Sequence, residues 1–311
     1  MNAPAKLLFA GTPDFALAAL RALHGAGHVI PAVITRPDRA AGRGRRIAAS
    51  PVKTWAQEAG LDLLQPASWK DASLMRRLED FGADLLVVAA YGSILPAAAL
   101  DACARGAVNI HASLLPRWRG ASPVAAAILA GDGHTGVTLM QMDTGLDTGP
   151  LLAARRTAIE PHETTGTLER RLARLGADLL LEQLPAILAG ELEAVPQDAS
   201  LSTYAPLIAK RQGRLNWTRP AEALARRVRA FDPWPVAHAM WGDRPLRLWQ
   251  AQARDGAGGE PGRVLDVSRD GMDVATVSGV LRVREVQLPG RRRMPALDAA
   301  RGAPLAEAVL S

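Results

Sequence analysis

The sequence predicts an α/β protein in which a doubly wound, mostly parallel sheet is followed by a small antiparallel β-barrel. Two observations predict the sheet. Short apolar runs alternate with helical patterns through the first half of the chain, and these runs are apolar on both faces, as buried parallel strands are. A third observation predicts the barrel, because the C-terminal third holds β-prone runs at hairpin spacing.

The predicted strands of the sheet are bounded by turn residues and connected by helical patterns. The strands are residues 6–10, 28–35, 61–64, 83–90, 107–111, 136–142 and 149–159, and the helices are residues 14–27, 50–60, 71–82, 95–106 and 164–190. Ser50 followed by Pro51 is typical of a helix start. The first strand ends in FAGTPDF, which lacks the three-glycine phosphate turn, so we do not expect NAD or FAD.

A polar, proline-containing stretch separates the two predicted domains. Residues 191–208 are the predicted linker, which leaves residues 1–190 for the first domain and residues 209–311 for the second. The second domain begins with a helical pattern at residues 220–231, and the β-prone runs follow it. A barrel of this size is a common nucleic-acid-binding fold.

Composition narrows the class of protein. The chain has 311 residues, of which 48% are apolar, enough for a core in each of two domains. Its single cysteine, Cys103, excludes a disulfide framework and a cysteine-ligated zinc site. The apolar run near the N-terminus is too short for a membrane span or a signal core. We therefore expect a cytoplasmic protein.

The formal net charge of +6 is unevenly distributed. Residues 36–53 carry six basic residues against one acidic residue, and residues 209–311 carry 18 against 11, so these regions hold net charges of +5 and +7. The rest of the chain is mildly acidic. Two basic regions on an acidic body predict that a polyanion is held at two places, although a single charged run is more often solvated surface.

Three polar residues are candidates for catalysis. Asn109 and His111 leave the carboxyl end of a predicted strand on the same side, and the glycine-rich turn at residues 143–149 presents Asp147. Each could instead be a half-buried polar residue or a turn cap. An amide and an imidazole can stabilise a developing oxyanion, while a carboxylate orients the imidazole or accepts a proton. No protein nucleophile is indicated, so these residues favour acyl transfer between two substrates.

The stretches NIHASLLPRWRGASP (residues 109–123) and TGVTLMQMDTGLDTGPLL (residues 135–152) closely resemble the folate-dependent formyltransferases. The resemblance runs nearly end to end to the members that act on charged initiator tRNA, through FAGTPDFA, RPDRAAGRGRR, SPVK, AYGSILP, LNW and RAFDPWP. The basic stretch RPDRAAGRGRR, which we call the basic insertion, and the C-terminal domain are both absent from the small glycinamide ribonucleotide enzymes. One departure is Ala112, where the family has glycine.

The resemblance implies a Rossmann-like formyltransferase domain and an OB-like tRNA-binding barrel. It implies a one-carbon transferase of protein biosynthesis, which moves the formyl group of 10-formyltetrahydrofolate to the amino group of methionyl-initiator-tRNA without a metal. The protein is expected to be a monomer. The residues with implied roles are the catalytic Asn109, His111 and Asp147, the folate-binding Ser113, Leu114, Leu115, Pro116, Ala90, Tyr91 and Gly92, and the tRNA-binding Arg43, Arg45 and Arg46.

Two other functions remain open from the residues themselves. An N-formyltransferase acting on an amino-sugar nucleotide would use the same chemistry, but it would not need the basic insertion. A non-catalytic RNA-binding protein would need the basic regions, but it would not need all three candidate catalytic residues.

Overall fold

The computed structural model describes residues 4–41, 46–256 and 259–311. The chain divides into two compact units, and the domain limits given above stay predictions. The first unit is Met1–Pro123, His134–Ala158 and Glu169–Ala205, and the second is Val124–Gly133, Ile159–Leu168 and Pro206–Ser311.

Strands and helices alternate up to residue 205. They are β1 (Leu7–Gly11), α1 (Asp14–Gly25), β2 (Val33–Ile34), β3 (Arg39–Ala41), β4 (Arg46–Ala48), α2 (Pro51–Glu58), β5 (Leu63–Leu64), α3 (Ala72–Asp80), β6 (Leu85–Ala89), α4 (Ala97–Leu100), β7 (Ala107–His111), β8 (Arg119–Gly120), α5 (Pro123–Ala130), β9 (His134–Gln141), β10 (Leu151–Ala158), α6 (Thr165–Ala189), the 3-10 helix Ala199–Leu201 and β11 (Tyr204–Ala205).

The main sheet has the strand order β10-β9-β7-β6-β1-β2-β5. Strands β5, β2, β1, β6 and β7 are parallel, whereas β9 pairs antiparallel with both β7 and β10. The chain runs outward from β1 to β2 and β5, then returns to the other side of β1 to form β6. This reversal confirms the doubly wound prediction, and it opens a crevice at the carboxyl ends of β1 and β6, where such sheets bind ligands.

Close packing at the end of β1 shapes this crevice. A side chain on Gly11 would place its Cβ 2.5 Å from the Cβ of Ala16 and 2.9 Å from the carbonyl oxygen of Ala89. Glycine therefore lets α1 begin directly against the end of β6. Helix α2, whose Trp55 packs against His24 of α1, begins as predicted, since the Ser50 hydroxyl accepts a hydrogen bond from the Lys53 backbone N–H at 3.1 Å.

Three predicted elements are at most half their predicted length, and one of them is the strand at residues 61–64, of which only β5 forms. The strand predicted at residues 28–35 is reduced to β2, because Pro31 has no N–H to donate to the ladder. The helix predicted at residues 95–106 contains only α4, after which turns lead to Gly106, whose φ of +68° is a left-handed conformation that suits glycine. The basic insertion after β2 includes the hairpin of β3 and β4.

The elements after residue 205 are mainly antiparallel strands. They are the 3-10 helix Lys210–Gly213, α7 (Ala221–Ala230), β12 (His238–Trp241), β13 (Arg244–Arg254), β14 (Val264–Ser268), β15 (Gly271–Ala275), β16 (Val280–Gln287), β17 (Met294–Pro295) and α8 (Ala296–Arg301). The strand order is β12-β13-β16-β15-β14, with β17 paired to β16.

The last residues of the chain close this sheet. Val264 at the start of β14 donates a backbone hydrogen bond to the Ala308 carbonyl at 2.8 Å. Ser311 and Met240 of β12 then exchange backbone hydrogen bonds of 2.9 and 2.6 Å. The C-terminal segment therefore bridges the two edge strands, which makes the predicted barrel a closed one. Its interior is apolar, with residues such as Leu246, Val283 and Leu305 fully buried.

The longest helix, α6, carries charged residues along its length, and no helix within the three described ranges is long and apolar enough to cross a membrane. The lone thiol, Cys103, lies in the core of the first unit, where burial raises its pKa to about 11 and the nearby Asp84 carboxylate acts in the same direction. It is therefore a neutral thiol at physiological pH and not a nucleophile.

Candidate active site

The polar pair at the end of β7 lies where the sheet meets the crevice. Asn109 pairs with Val88 of β6 on one side and with Met140 of β9 on the other, so it sits well inside the sheet. Asn109 and His111 are only 8% and 6% exposed. Among the described residues, no protein group hydrogen-bonds the Asn109 carboxamide. A nearly buried amide without a protein partner is a group that a ligand can satisfy.

The imidazole of His111 is held through one of its two nitrogens. Its Nε2 lies 3.0 Å from the carbonyl oxygen of Trp118, and because a carbonyl can only accept, Nε2 carries a proton. Its Nδ1 lies 3.7 Å from Oδ1 of Asp147, which is beyond a direct hydrogen bond but close enough for a charge contact. In the neutral ring, Nδ1 is therefore the nitrogen that is free to accept a proton.

The two acidic residues of the 143–149 turn have different tasks. Asp143 accepts hydrogen bonds from the Gly145 N–H and the Thr148 hydroxyl, so its carboxylate caps the turn itself. Asp147 has a φ of +53°, and its Oδ2 accepts from the Gly120 N–H at 2.8 Å. The second carboxylate oxygen thus remains directed at His111. Of the two, Asp147 is the one whose carboxylate faces His111.

The turn after β7 is fixed by internal hydrogen bonds. The Ser113 hydroxyl donates to the Arg117 carbonyl at 2.6 Å, and the Ser113 carbonyl accepts from the Thr138 hydroxyl at 2.7 Å. Thr138 also accepts from the Leu115 N–H at 3.1 Å. The Ser113 hydroxyl proton is therefore used within the protein. Leu115 is buried, whereas Leu114 and Pro116 are partly exposed, so this turn offers mainly shape and backbone to a ligand.

The residues that follow β6 line a cavity in the crevice. Ala90 and Gly92 have positive φ angles of 42° and 80°, and the buried Tyr91 between them packs edge-on against Trp69 at 5.6 Å. The cavity has a volume of about 530 Å³. It is lined by Thr12, Pro13, Asp14, Arg36, Pro37, Asp38, Ala48, Ala49, Ser50, Pro51, Ala90, Tyr91 and Gly92.

This cavity is large enough for a small-molecule ligand. Its lining does not include the catalytic candidates themselves, which lie at the carboxyl end of the neighbouring strand β7 and in the 143–149 turn. The structure therefore separates a roomy pocket from the polar trio.

Side chains at the base of the basic insertion form a polar network. Lys53 pairs with Asp38 at 2.6 Å and donates to Gln65 at 2.9 Å, and Gln65 donates to the Arg36 carbonyl. The hydrogen bonds from Lys53 and then Gln65 hold the pKa of Asp38 below its ordinary value, so this carboxylate stays charged. The two ends of the insertion are thereby joined next to the cavity.

The structure brings some of the predicted site residues together and leaves others undescribed. Asn109, His111 and Asp147 meet at the carboxyl end of β7. Residues 90–92 and 113–116 follow the adjacent strands β6 and β7. The predicted tRNA-binding residues Arg43 and Arg45 lie outside the described residues, and of Arg46 only the backbone, in β4, is described.

Sequence reasoning missed the groups that hold the trio in place. They include the Trp118 carbonyl, the Gly120 N–H and the side chains of Arg119 and Gln197. Two of these are backbone groups, which no residue type can signal. Gln197 lies in the stretch predicted as a linker, where its polar side chain was indistinguishable from those of its solvated neighbours.

Both units of the chain contain segments that match one family. A family model described as formyl transferase matches residues 5–184, and a model described as formyl transferase, C-terminal domain, matches residues 207–304. The chain is similar to the methionyl-tRNA formyltransferase of Paraburkholderia phymatum, with 48% identity over 98% of this chain and 97% of that protein. It is 51% identical to the methionyl-tRNA formyltransferase of Methylococcus capsulatus, over 94% of this chain and 95% of that protein.

A solved structure shares the fold at low sequence identity. It is the N-formyltransferase from Helicobacter canadensis, in complex with folinic acid and dTDP-3-aminofucose. The TM-score is 0.67 at 17% identity, over 90% of this chain and 98% of that chain. At this identity the likeness extends to the fold alone.

Proposed function

The chain belongs to the formyl transferase family, and from this premise we propose that Asn109, His111 and Asp147 form its catalytic site. The enzyme transfers the formyl group of 10-formyltetrahydrofolate to the free amino group of methionyl-initiator-tRNA, which gives N-formylmethionyl-tRNA and tetrahydrofolate for translation initiation. The observation that carries the site assignment is the unpartnered Asn109 amide beside a His111 ring whose free nitrogen faces Asp147. We also propose that the enzyme is a cytoplasmic monomer.

The proposed reaction begins when the amine of the methionyl group attacks the formyl carbon. The carbon–oxygen double bond opens, and the negative charge that develops on the oxygen is stabilised by the Asn109 N–H groups. His111 Nδ1 accepts the proton that the attacking nitrogen loses, and the Asp147 carboxylate stabilises the resulting imidazolium. The carbon–oxygen double bond then re-forms as the bond to folate breaks, and His111 Nδ1 passes its proton to the departing folate nitrogen. No net proton is consumed.

We place the folate in the crevice beyond β6 and β7. Ala90, Tyr91 and Gly92 supply backbone groups at the cavity wall, and the turn at residues 113–116 supplies a shaped surface beside the trio. Because the Ser113 hydroxyl donates within the turn, we assign its contribution to the shape of that turn. This placement puts the formyl donor between the cavity and the catalytic residues.

Replacing Asp147 with asparagine should reduce turnover by at least about tenfold while leaving folate binding measurable, because the carboxylate serves the reacting centre and the proposed folate pocket is mostly backbone. Steady-state kinetics and a direct folate titration measure the two effects. Asp143→Asn is the matched control, since asparagine keeps the oxygen that caps the turn. An equal loss of folate affinity and turnover in Asp147→Asn would make this residue a binding residue.

We propose that Arg43, Arg45 and Arg46 contact tRNA phosphates, together with the basic region at residues 209–311. Each arginine that pairs with a phosphate releases about one counterion. Replacing all three with alanine should therefore reduce the slope of log K for tRNA binding against log salt concentration by up to about 3. Catalytic efficiency on methionyl-tRNA should fall, and folate binding should not change. Kinetics across a salt series test this, and an unchanged slope would show that the insertion is only solvated surface.

The acceptor specificity is tested by direct competition. The enzyme is mixed with 10-formyltetrahydrofolate, methionyl-initiator-tRNA and a dTDP-amino sugar, and the formylated product is identified. Formylation of the tRNA alone is expected. Formylation of the sugar instead would favour the amino-sugar alternative, and no product at all would favour a non-catalytic RNA-binding protein.

A further inference from the structure

The segment that follows α6 braces the active site. We call residues 195–205 the brace. Val195 pairs with Leu151 of β10 at one end, and β11 pairs with β8 at the other. The brace therefore spans from the strand that follows the 143–149 turn to the loop that follows His111. The brace thus contacts the turn that holds Asp147 and the loop that follows His111.

Gln197 of the brace hydrogen-bonds the backbone on both sides of Thr148. Its Nε2 donates to the carbonyl oxygen of Asp147 at 3.0 Å and to that of Gly149 at 2.7 Å, which uses both amide hydrogens. Asp147 has a φ of +53°, a conformation that is uncommon outside glycine. A donor placed on its carbonyl oxygen favours this particular backbone conformation over the alternatives.

Arg119 fixes the orientation of the Gln197 side chain. Its Nε and Nη2 both donate to Oε1 of Gln197, at 3.0 and 2.7 Å. Because the oxygen faces two donors and the nitrogen faces two carbonyls, the carboxamide has only one orientation that satisfies all four contacts. The next residue, Gly120, donates its N–H to the Asp147 carboxylate. Asp147 is thus held at its backbone by Gln197 and at its carboxylate by the residue beside Arg119.

The brace also contacts the group that holds His111. The Thr203 hydroxyl accepts from the Trp118 N–H at 2.8 Å, and the Thr203 carbonyl accepts from the Arg119 N–H at 2.9 Å. The carbonyl of Trp118 is the one that accepts from His111 Nε2. A single surface segment therefore fixes the supports of both members of the His111–Asp147 pair.

We infer that Gln197 is a positioning residue, which acts on formyl transfer through Asp147. This inference rests on the proposed catalytic role of Asp147. Small displacements of a catalytic group are costly, and a 1 Å shift can reduce a rate by about a hundredfold. Loss of the two hydrogen bonds from Gln197 should therefore lower turnover while leaving the binding of both substrates unchanged.

Two variants separate positioning from simple stability. Gln197→Met keeps the length of the side chain and removes all four contacts. Gln197→Glu keeps the pair with Arg119 but cannot donate to the two carbonyls. Both should reduce kcat by about tenfold or more, with the KM values for folate and tRNA within about twofold. Gln183→Met is the matched control, because Gln183 on α6 donates to the side chain of Glu182, and its loss should leave kcat unchanged.

A double-mutant cycle decides the route by which Gln197 acts. If it acts through Asp147, Gln197→Met should cause no further loss of kcat in the Asp147→Asn background. A second loss of the same size in that background would overturn the inference and assign Gln197 to general stability. If Asp147→Asn alone lowers kcat and Gln197→Met does not, only the positioning role fails. If Asp147→Asn itself turns over normally, the catalytic role of Asp147 fails and the positioning role falls with it.

Discussion

Replacing Asn109 with alanine is expected to slow formyl transfer by about a hundredfold or more, which corresponds to about 3 kcal/mol of lost transition-state stabilisation. The wild-type amide is nearly buried, and no described protein group hydrogen-bonds it, so its N–H groups are available to the oxygen that becomes negative during the reaction. The side chain of alanine offers no donor at this position. The loss should appear in kcat and in kcat/KM together, because the contact strengthens only in the transition state.

The fold of the Asn109→Ala variant should be preserved, since the change removes a polar group that no described protein group hydrogen-bonds. Its melting temperature and its affinity for folate are the controls. Asn216→Ala removes the same side chain from an exposed turn of the second unit, where the amide oxygen accepts from Thr218, and should leave turnover unchanged. Near-normal kcat in Asn109→Ala would exclude an oxyanion role.

The sequence predicted the parts of the site that depend on local patterns. Alternation along a strand puts Asn109 and His111 on one side, and the doubly wound order puts the ends of β6 and β7 next to each other. The glycines of the 143–149 turn indicated a tight loop that presents an aspartate. These features depend on residue spacing within a few positions, which is visible without any knowledge of distant contacts.

The supports of the site could not be predicted in this way. Gln197 contacts Asp147 from 50 residues away, and Thr203 contacts Trp118 from 85 residues away. The contacts that close the barrel could not be predicted either, because Ser311 pairs with Met240 although the C-terminal residues show no strand pattern. Such contacts are set by tertiary packing, and polar residues in short irregular segments give no periodic signal.

The central mechanistic claim is that His111 accepts a proton at Nδ1. A substitution can remove this function while keeping the hydrogen bond that Nε2 makes. In His111→Gln, the new side-chain amide can still donate to the Trp118 carbonyl from the position of Nε2, but no proton acceptor remains at the position of Nδ1. General acid–base catalysis by a side chain contributes about a hundredfold to ten-thousandfold to a rate. A loss in that range is therefore expected, and it should be among the largest of any single substitution in this protein.

The measurement is the rate of a single turnover of formyl transfer in His111→Gln, followed by rapid chemical quench with the enzyme in excess and both substrates bound. The account predicts a rate at least about a hundredfold below that of the unchanged enzyme, with binding of folate and methionyl-tRNA preserved. A rate close to that of the unchanged enzyme would contradict it, because His111 would then serve only to hold the Trp118 loop.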